Sequence, residues 1–567
     1  MAERDRQLRN PPLSVAGWQL GPGLVIAGII ALISSAGLGA LIWQWEGGAL
    51  ARLWESSYLR QVIQFSVVQA ALSTLLSLVI AAPVARALVR QKHFRGRNAL
   101  LRLMELSLVL PSIVAVFGIV AVYGRTGWLN TLLTTSGIDW RWNLYGLQGI
   151  LLAHIFFNAP LAARVMVQTL ERIPASHWKI ASQLGMTSGA IWRALEWPAL
   201  KRLIPGLAAL VFTLCFTSFA IVMTLGGGPS TTTIEVAIYQ ALRYEFDFGQ
   251  AALLAIIQLI VCGSLWALAS RHGRTRDLLP YSGSSETFSR VDTEGWYRIR
   301  DGALLGLFFV FLMAPILAMA LKGVPGLADH IADFRLWSSL ARSLLVAIGA
   351  GLVSVSFGLA ILAASSGMRQ RHHAKMAALL EASGHLTLVV PALVLGTGLF
   401  ILMRPQLGSV TQGLALVMAI NALMALPFVI QVLRGPMSSV SPGALRVADQ
   451  LGIRGFYRWQ FLFWPLIRRP LTLALAYAIA LSLGDFSIIA LFGNPASPTL
   501  PMLLYQQLAS YQLDAAAGTA LLLVSVLAGI FATLQRIGRR LPDVISEPET
   551  LNPISDDDSG DAYARRS

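Results

Sequence analysis

Charge is scarce in this sequence. Asp, Glu, Lys and Arg make up 13% of the 567 residues, against 55% apolar residues and a mean hydropathy of +0.63. Soluble domains carry roughly a quarter charged residues, so a water-soluble chain of several cores is excluded. Cysteine is scarcer still. Cys215 and Cys262 both lie inside apolar runs, which excludes a disulfide framework and a Cys-based metal site. No GxxxxGK[ST] string occurs, so the chain lacks the loop whose backbone N–H groups and Lys cradle nucleotide phosphates. No catalytic residue, resident metal or cofactor is expected of it. The one excess is positive charge, formally +15. Its Lys and Arg residues sit in short segments between apolar runs rather than on one arm, so they report topology and not nucleic acid.

Apolar runs of membrane-spanning length, about 20 residues, are what the sequence has in abundance. Twelve are expected, near 21–43, 62–86, 104–123, 145–166, 203–226 and 250–270, then 302–322, 338–364, 384–403, 411–433, 470–492 and 516–535. The fold class is therefore an all-α polytopic membrane protein. Arg4, Arg6 and Arg9 precede the first run. That run exceeds a signal-peptide core of roughly 7 to 15 residues, so it reads as a retained span. Residues 271–300 read as a cytoplasmic linker and 537–567 as a disordered tail.

Positive charge collects in alternate loops, the mark of the cytoplasmic side. One set holds Arg86, Arg90, Lys92, Arg95, Arg97 and Arg102, then Lys179, Arg193, Lys201 and Arg202, then Arg369, Arg371 and Lys375, then Arg446, Arg454, Arg458, Arg468 and Arg469. The opposite loops are balanced, as in Glu235, Arg243, Glu245 and Asp247. Both chain ends are expected inside.

The sequence also repeats itself at an offset of 267 residues. Pro160 matches Pro427, SQLG at 182–185 matches DQLG at 449–452, Trp197-Pro198 matches Trp464-Pro465, and Phe219 matches Phe486. Tyr239-Gln240 pairs with Tyr505-Gln506 after one residue of slip. An even number of spans per copy makes the duplication parallel, with a pseudo-twofold along the membrane normal.

In each copy the loop between the fourth and fifth spans carries one pattern. It reads WKIASQLGMTSGAIWRALEWPAL at 178–200 and RVADQLGIRGFYRWQFLFWPLI at 446–467. Ala181 or Ala448 precedes Gly185 or Gly452 by four residues, placing each pair on one helix face. Pro198 or Pro465 follows thirteen residues later, where a break before the next span is expected. This pattern resembles the EAA loop of binding-protein-dependent ABC importer permeases. Lys179 and Arg446 stand where that family has Glu, and Ile180 and Val447 where it has Ala.

Longer strings, including AVFGIVAVYGRTGWLNTL at 115–132 and GDFSIIALFGNPASPTLPMLLYQQLASY at 484–511, are similar to thiamine permeases of the fused-dimer, ferric-iron/thiamine type. The resemblance implies a type I importer fold with permease domains at 58–270 and 337–536. The first span lies in 1–57, and the seventh span with its outward loop in 301–336. It further implies that small residues and Gly in the two loops dock two copies of a separate ATP-binding cassette subunit, which alone binds ATP. A periplasmic binding protein would deliver thiamine, with thiamine phosphates as a further candidate cargo, for passage across the bacterial inner membrane. A ferric-iron permease is the nearest alternative. An ion-coupled secondary transporter is the alternative of another class, and the sequence lacks the GxxxDRxGRR-like loop of that class.

Ionisable and polar groups inside spans mark a pathway or a buried partner. Asp485 is a candidate for the route; His154 and Asn421, equivalent in the two copies, could face each other across the pseudo-twofold, although an interhelical hydrogen bond is the commoner role of such groups. Glu105 and Glu381 read as structural contacts. Pro111 and Pro391 are expected to kink the third and ninth spans.

Overall fold

The computed structural model describes residues 17–44, 55–272, 295–370, 373–385, 390–403, 410–440, 442–453 and 456–540. The N-terminal arginines, most of the linker, Arg371, Arg454 and the tail beyond Arg540 lie outside the described residues, while 537–540, expected in the tail, continue the last helix. Every regular element among the described residues is helical. Eleven helices are long and apolar enough to cross a membrane, and a twelfth, Ala392–Met403, is apolar but shorter. Outward faces such as Leu24, Val25 and Leu32, or Leu307, Val310 and Leu321, leave large apolar side chains exposed, as a lipid-facing surface requires.

Several expected spans are built differently. The linker's last residues are not linker: the seventh helix, Trp296–His330, begins inside it. The third span is two helices, Arg97–Val109 and Ser112–Tyr123, because Leu110 before Pro111 is forced to an extended ψ of 131°. Pro111 thus ends a helix rather than kinking one, and Pro391 likewise precedes the Ala392–Met403 helix. The fifth span runs from Trp197 to Phe216, breaks, and resumes as Phe219–Leu225; the eleventh runs from Trp464 to Leu483, breaks, and resumes as Ser487–Phe492.

The halves are interlocked. The first helix, Gly17–Trp43, packs on the eighth, Phe334–Gln370, and on Ala392–Met403, both from the other half. The seventh helix packs on Ser112–Tyr123 and Ser57–Arg90 of the first half, as well as on the last helix, Leu513–Arg540. Small residues permit these crossings, since apolar lipid gives helices no hydrophobic reason to associate and close backbone approach must do it. A Cβ on Gly118 would strike the Pro315 backbone, and one on the equivalent Gly398 would strike Gly37. Equivalent hydroxyls anchor the two halves in one register: Ser66 Oγ accepts from the Ile234 N–H at 2.8 Å, and Ser343 Oγ from the Leu500 N–H at 2.7 Å.

Candidate functional site: two matched loops and a seam

Each loop begins as a nine-residue helix, Ala175–Gln183 in the first half and Pro442–Gln450 in the second. Both end on a left-handed glycine, Gly185 at φ 58° and Gly452 at φ 68°. The next N–H turns back onto the helix, Met186 to the Ala181 carbonyl at 3.0 Å and Ile453 to the Ala448 carbonyl at 2.8 Å. This is a Schellman stop, and a residue with a Cβ would be strained in it.

The stop orients the helix so that Ala181 and Ala448 face inward, 3% and 2% exposed. These small residues therefore seat the loop against its own protein. The outer face is apolar instead: Ile180 and Leu184 are exposed in the first loop, Val447 and Leu451 in the second. Lys179, Gly185 and Gly452 are exposed beside them, and the Arg446 side chain lies outside the described residues. Two matched, solvent-facing apolar pairs are the signature of a surface that another protein covers.

No break occurs at Pro198 or Pro465. A π-helical turn, Trp192–Glu196 or Trp459–Phe463, runs directly into the following span. There the N–H of Trp197 reaches the Trp192 carbonyl, and that of Trp464 the Trp459 carbonyl. Each proline falls in the first turn of the next α-helix, where its missing N–H leaves no bond unmade. Ring pairs Trp192–Trp197 and Trp459–Trp464, with centroids 5.8 and 6.3 Å apart, brace the two turns alike. Each π turn thus leads into its membrane helix without an interruption.

Charged groups surround the first loop. Arg86 Nε donates to Glu196 at 2.6 Å, and its Nη2 donates to the Ser188 carbonyl at 2.6 Å. Arg90 Nη1 donates to both Asp301 oxygens, at 3.0 and 2.9 Å, while Nη2 reaches Ser188 Oγ at 3.3 Å. In the second half Glu381 instead pairs with Arg369 at 2.8 Å and Arg434 at 3.0 Å, and Ser365 Oγ donates to it. Burial alone would raise the Glu381 pKa, but the Ser365 and Arg369 hydrogen bonds with the Arg434 charge outweigh it and hold the carboxyl below its ordinary range. Glu105 pairs with Arg164 in the same structural manner.

The seam between the halves is aromatic. Phe219 and Phe486, equivalent by the repeat, stack with ring centroids 5.5 Å apart. Tyr239 packs edge-on to Phe219 at 5.3 Å, and Tyr505 lies 4.9 Å from Phe486. The result is a column of four rings lying across the pseudo-twofold, beside the breaks in the fifth and eleventh spans. Arg243 Nη2 also crosses the seam to the Gly493 carbonyl, at 3.4 Å. Residue-by-residue reading passed over this column, although the repeat register had already matched Phe219 with Phe486 and Tyr239 with Tyr505.

Of the expected polar candidates, His154 and Asn421 are buried within their own halves and Asp485 is half-buried. His154 Nδ1 is hydrogen-bonded to Ser73 Oγ at 2.8 Å, and Asn421 Nδ2 donates to Ser482 Oγ at 3.1 Å. Asn421 also reaches Asp485, whose carboxylate faces the backbone N–H groups of Ile488 and Ile489 at the start of the Ser487–Phe492 helix. An anion at that helix start is where the backbone dipoles stabilise one. The structure brings Asn421 and Asp485 together and leaves His154 with a different partner.

A duplicated, all-helical bundle with spanning helices and two matched loops defines a membrane permease built as a fused pair. The family model described as "Binding-protein-dependent transport system inner membrane component" matches residues 77–272. The Escherichia coli thiamine transport system permease protein ThiP is 42% identical over 533 residues, 94% of this chain and 98% of that protein. The Haemophilus influenzae ThiP is 38% identical over 90% of this chain and 94% of its own length. A sulfate transport system permease protein, CysW of Synechococcus elongatus, is 27% identical and 90% covered by only 45% of this chain. The chain belongs to the ThiP family of permease proteins. Its relatives are inner-membrane transport components and not enzymes, and the chain is a multi-pass inner-membrane protein.

Proposed function

We propose that this chain is the permease subunit of an ATP-driven importer of thiamine. The observation that carries this reading is the identity with ThiP proteins along nearly their whole length, joined to two geometrically matched loops. The chain has no phosphate loop, so the energy comes from a separate ATP-binding cassette subunit, one copy on each loop. The apolar pairs Ile180/Leu184 and Val447/Leu451 are the docking knobs. The loops and both chain ends face the cytoplasm, where positive charge collects. A periplasmic binding protein delivers cargo to the opposite side.

The route runs along the seam, where the equivalent span breaks of the two halves meet. On this reading the four-ring column closes it at the level of the span breaks. Asp485 holds the break in the eleventh span together rather than meeting cargo first. The ferric-iron alternative is not favoured by the relatives, and a gradient-driven carrier has no use for matched loops.

The test is growth and uptake. A thiamine auxotroph with its own importer deleted, supplied with this chain and its partner subunits, takes up labelled thiamine at nanomolar supply. Recovery of ferric-iron uptake with none for thiamine would overturn the cargo assignment.

A further inference from the structure

The two loops are alike in backbone and are surrounded by different residues at matched positions. The register set by Ser66 and Ser343, 277 residues apart, places Ala363 where the first half has Arg86 and Gly367 where it has Arg90. The loop register of 267 places Phe463 where the first half has Glu196. Ala363, Gly367 and Phe463 carry no charge, so this particular cluster is not repeated at the matched positions of the second half. The second half's own ionic cluster, Glu381 with Arg369 and Arg434, joins the eighth helix to Ala374–Gly384 and Val410–Ser438 and bypasses the loop.

The first cluster is buried and shared among three elements. The Arg90 and Asp301 side chains are 0% and 2% exposed, and that of Glu196 is 0%. Arg86 and Arg90 close the second helix, Ser188 and Glu196 bracket the π turn after the first loop, and Asp301 lies near the start of the seventh helix, which belongs to the other half by sequence. Two rings complete the grip, with the Arg86 guanidinium 5.2 Å over Trp192 and the Arg90 guanidinium 5.1 Å over Tyr297. A buried, bidentate Arg–carboxylate pair resists sliding far better than apolar contacts do, because separating it strands two charges in a dry site.

We infer that Arg86, Arg90, Glu196 and Asp301 form an ionic latch that ties the first loop to the second and seventh helices. Motion of that loop pulls the second and seventh helices together, and so moves both halves at once. The four are positioning residues, acting on the stroke and not on the cargo. The inference rests on the proposed docking of an ATPase at these loops.

The experiment uses the purified complex of this chain with its ATPase, reconstituted with the binding protein. It reads ATP hydrolysed per labelled thiamine imported. Asp301→Asn and Glu196→Gln are expected to raise that ratio about tenfold, the effect of roughly 1.4 kcal/mol of lost coupling. The exchange Arg90→Asp with Asp301→Arg is expected to bring it back to within about threefold of the parent. Glu381→Gln, which removes the second half's cluster, leaves the ratio unchanged. A parental ratio in Asp301→Asn and Glu196→Gln complexes that still hold their ATPase overturns the latch. Full ATPase retention and coupling in the Leu184→Ala/Leu451→Ala variant overturns the docking reading instead.

Discussion

Gly185 and Gly452 show how much a single residue decides here. Each holds a positive φ in open space, with nothing within 4 Å of where a Cβ would stand. Replacing both with Val leaves room for the side chain but penalises the left-handed turn by about 1 to 2 kcal/mol at each site. The expected outcome is loss of ATPase co-purification and of coupled uptake, with the chain still present in the membrane at parental amounts. Normal transport by that variant would remove the loops from the mechanism. The glycines themselves were legible, since the repeat fixed their register. The role of Ala181 and Ala448 was not: helical spacing puts them on the glycine's face without saying whether that face is turned in or out. Burial turns that face inward and leaves Ile180 and Leu184 on the outer face, where docking is proposed.

At the scale of elements, hydropathy located nearly every span and missed how spans are interrupted. An apolar run reads the same whether its backbone is one helix or two, so the breaks at Thr217–Ser218 and Gly484–Phe486 left no trace in hydropathy. Pro111 and Pro198 illustrate opposite outcomes for one residue type. The first ends a helix because its predecessor is driven extended; the second sits harmlessly in a first turn beyond a π-helical step. The span breaks flank the column of Tyr239, Phe219, Phe486 and Tyr505, so that column is expected to open and close with each cycle. In a Cys215→Ala/Cys262→Ala background, Phe219→Cys with Phe486→Cys should be joined by a short thiol-cleavable cross-linker. The bridge is expected to stop thiamine uptake and reductant to restore it. Undiminished uptake through the bridged chain would move the route elsewhere.

For the whole molecule, the duplication and its direction were readable because two copies in one chain record the same pattern twice. The exchange of the first and seventh helices between halves was not. Close crossings such as Gly118 on Pro315 and Gly398 on Gly37 depend on small residues, and small residues are common throughout an apolar chain. That exchange makes the halves one mechanical body, so a push on either loop reaches both sides of the seam. The central claim is that this body moves cargo only with energy supplied from outside the chain. The direct measurement is labelled thiamine entering proteoliposomes that contain the chain alone, the chain with its ATPase and ATP, or the full set with the thiamine-loaded binding protein. Accumulation is predicted only in the full set, and it stops when ATP is replaced by a non-hydrolysable analogue. Accumulation by the chain alone, driven by an ion gradient or by none, would contradict the account.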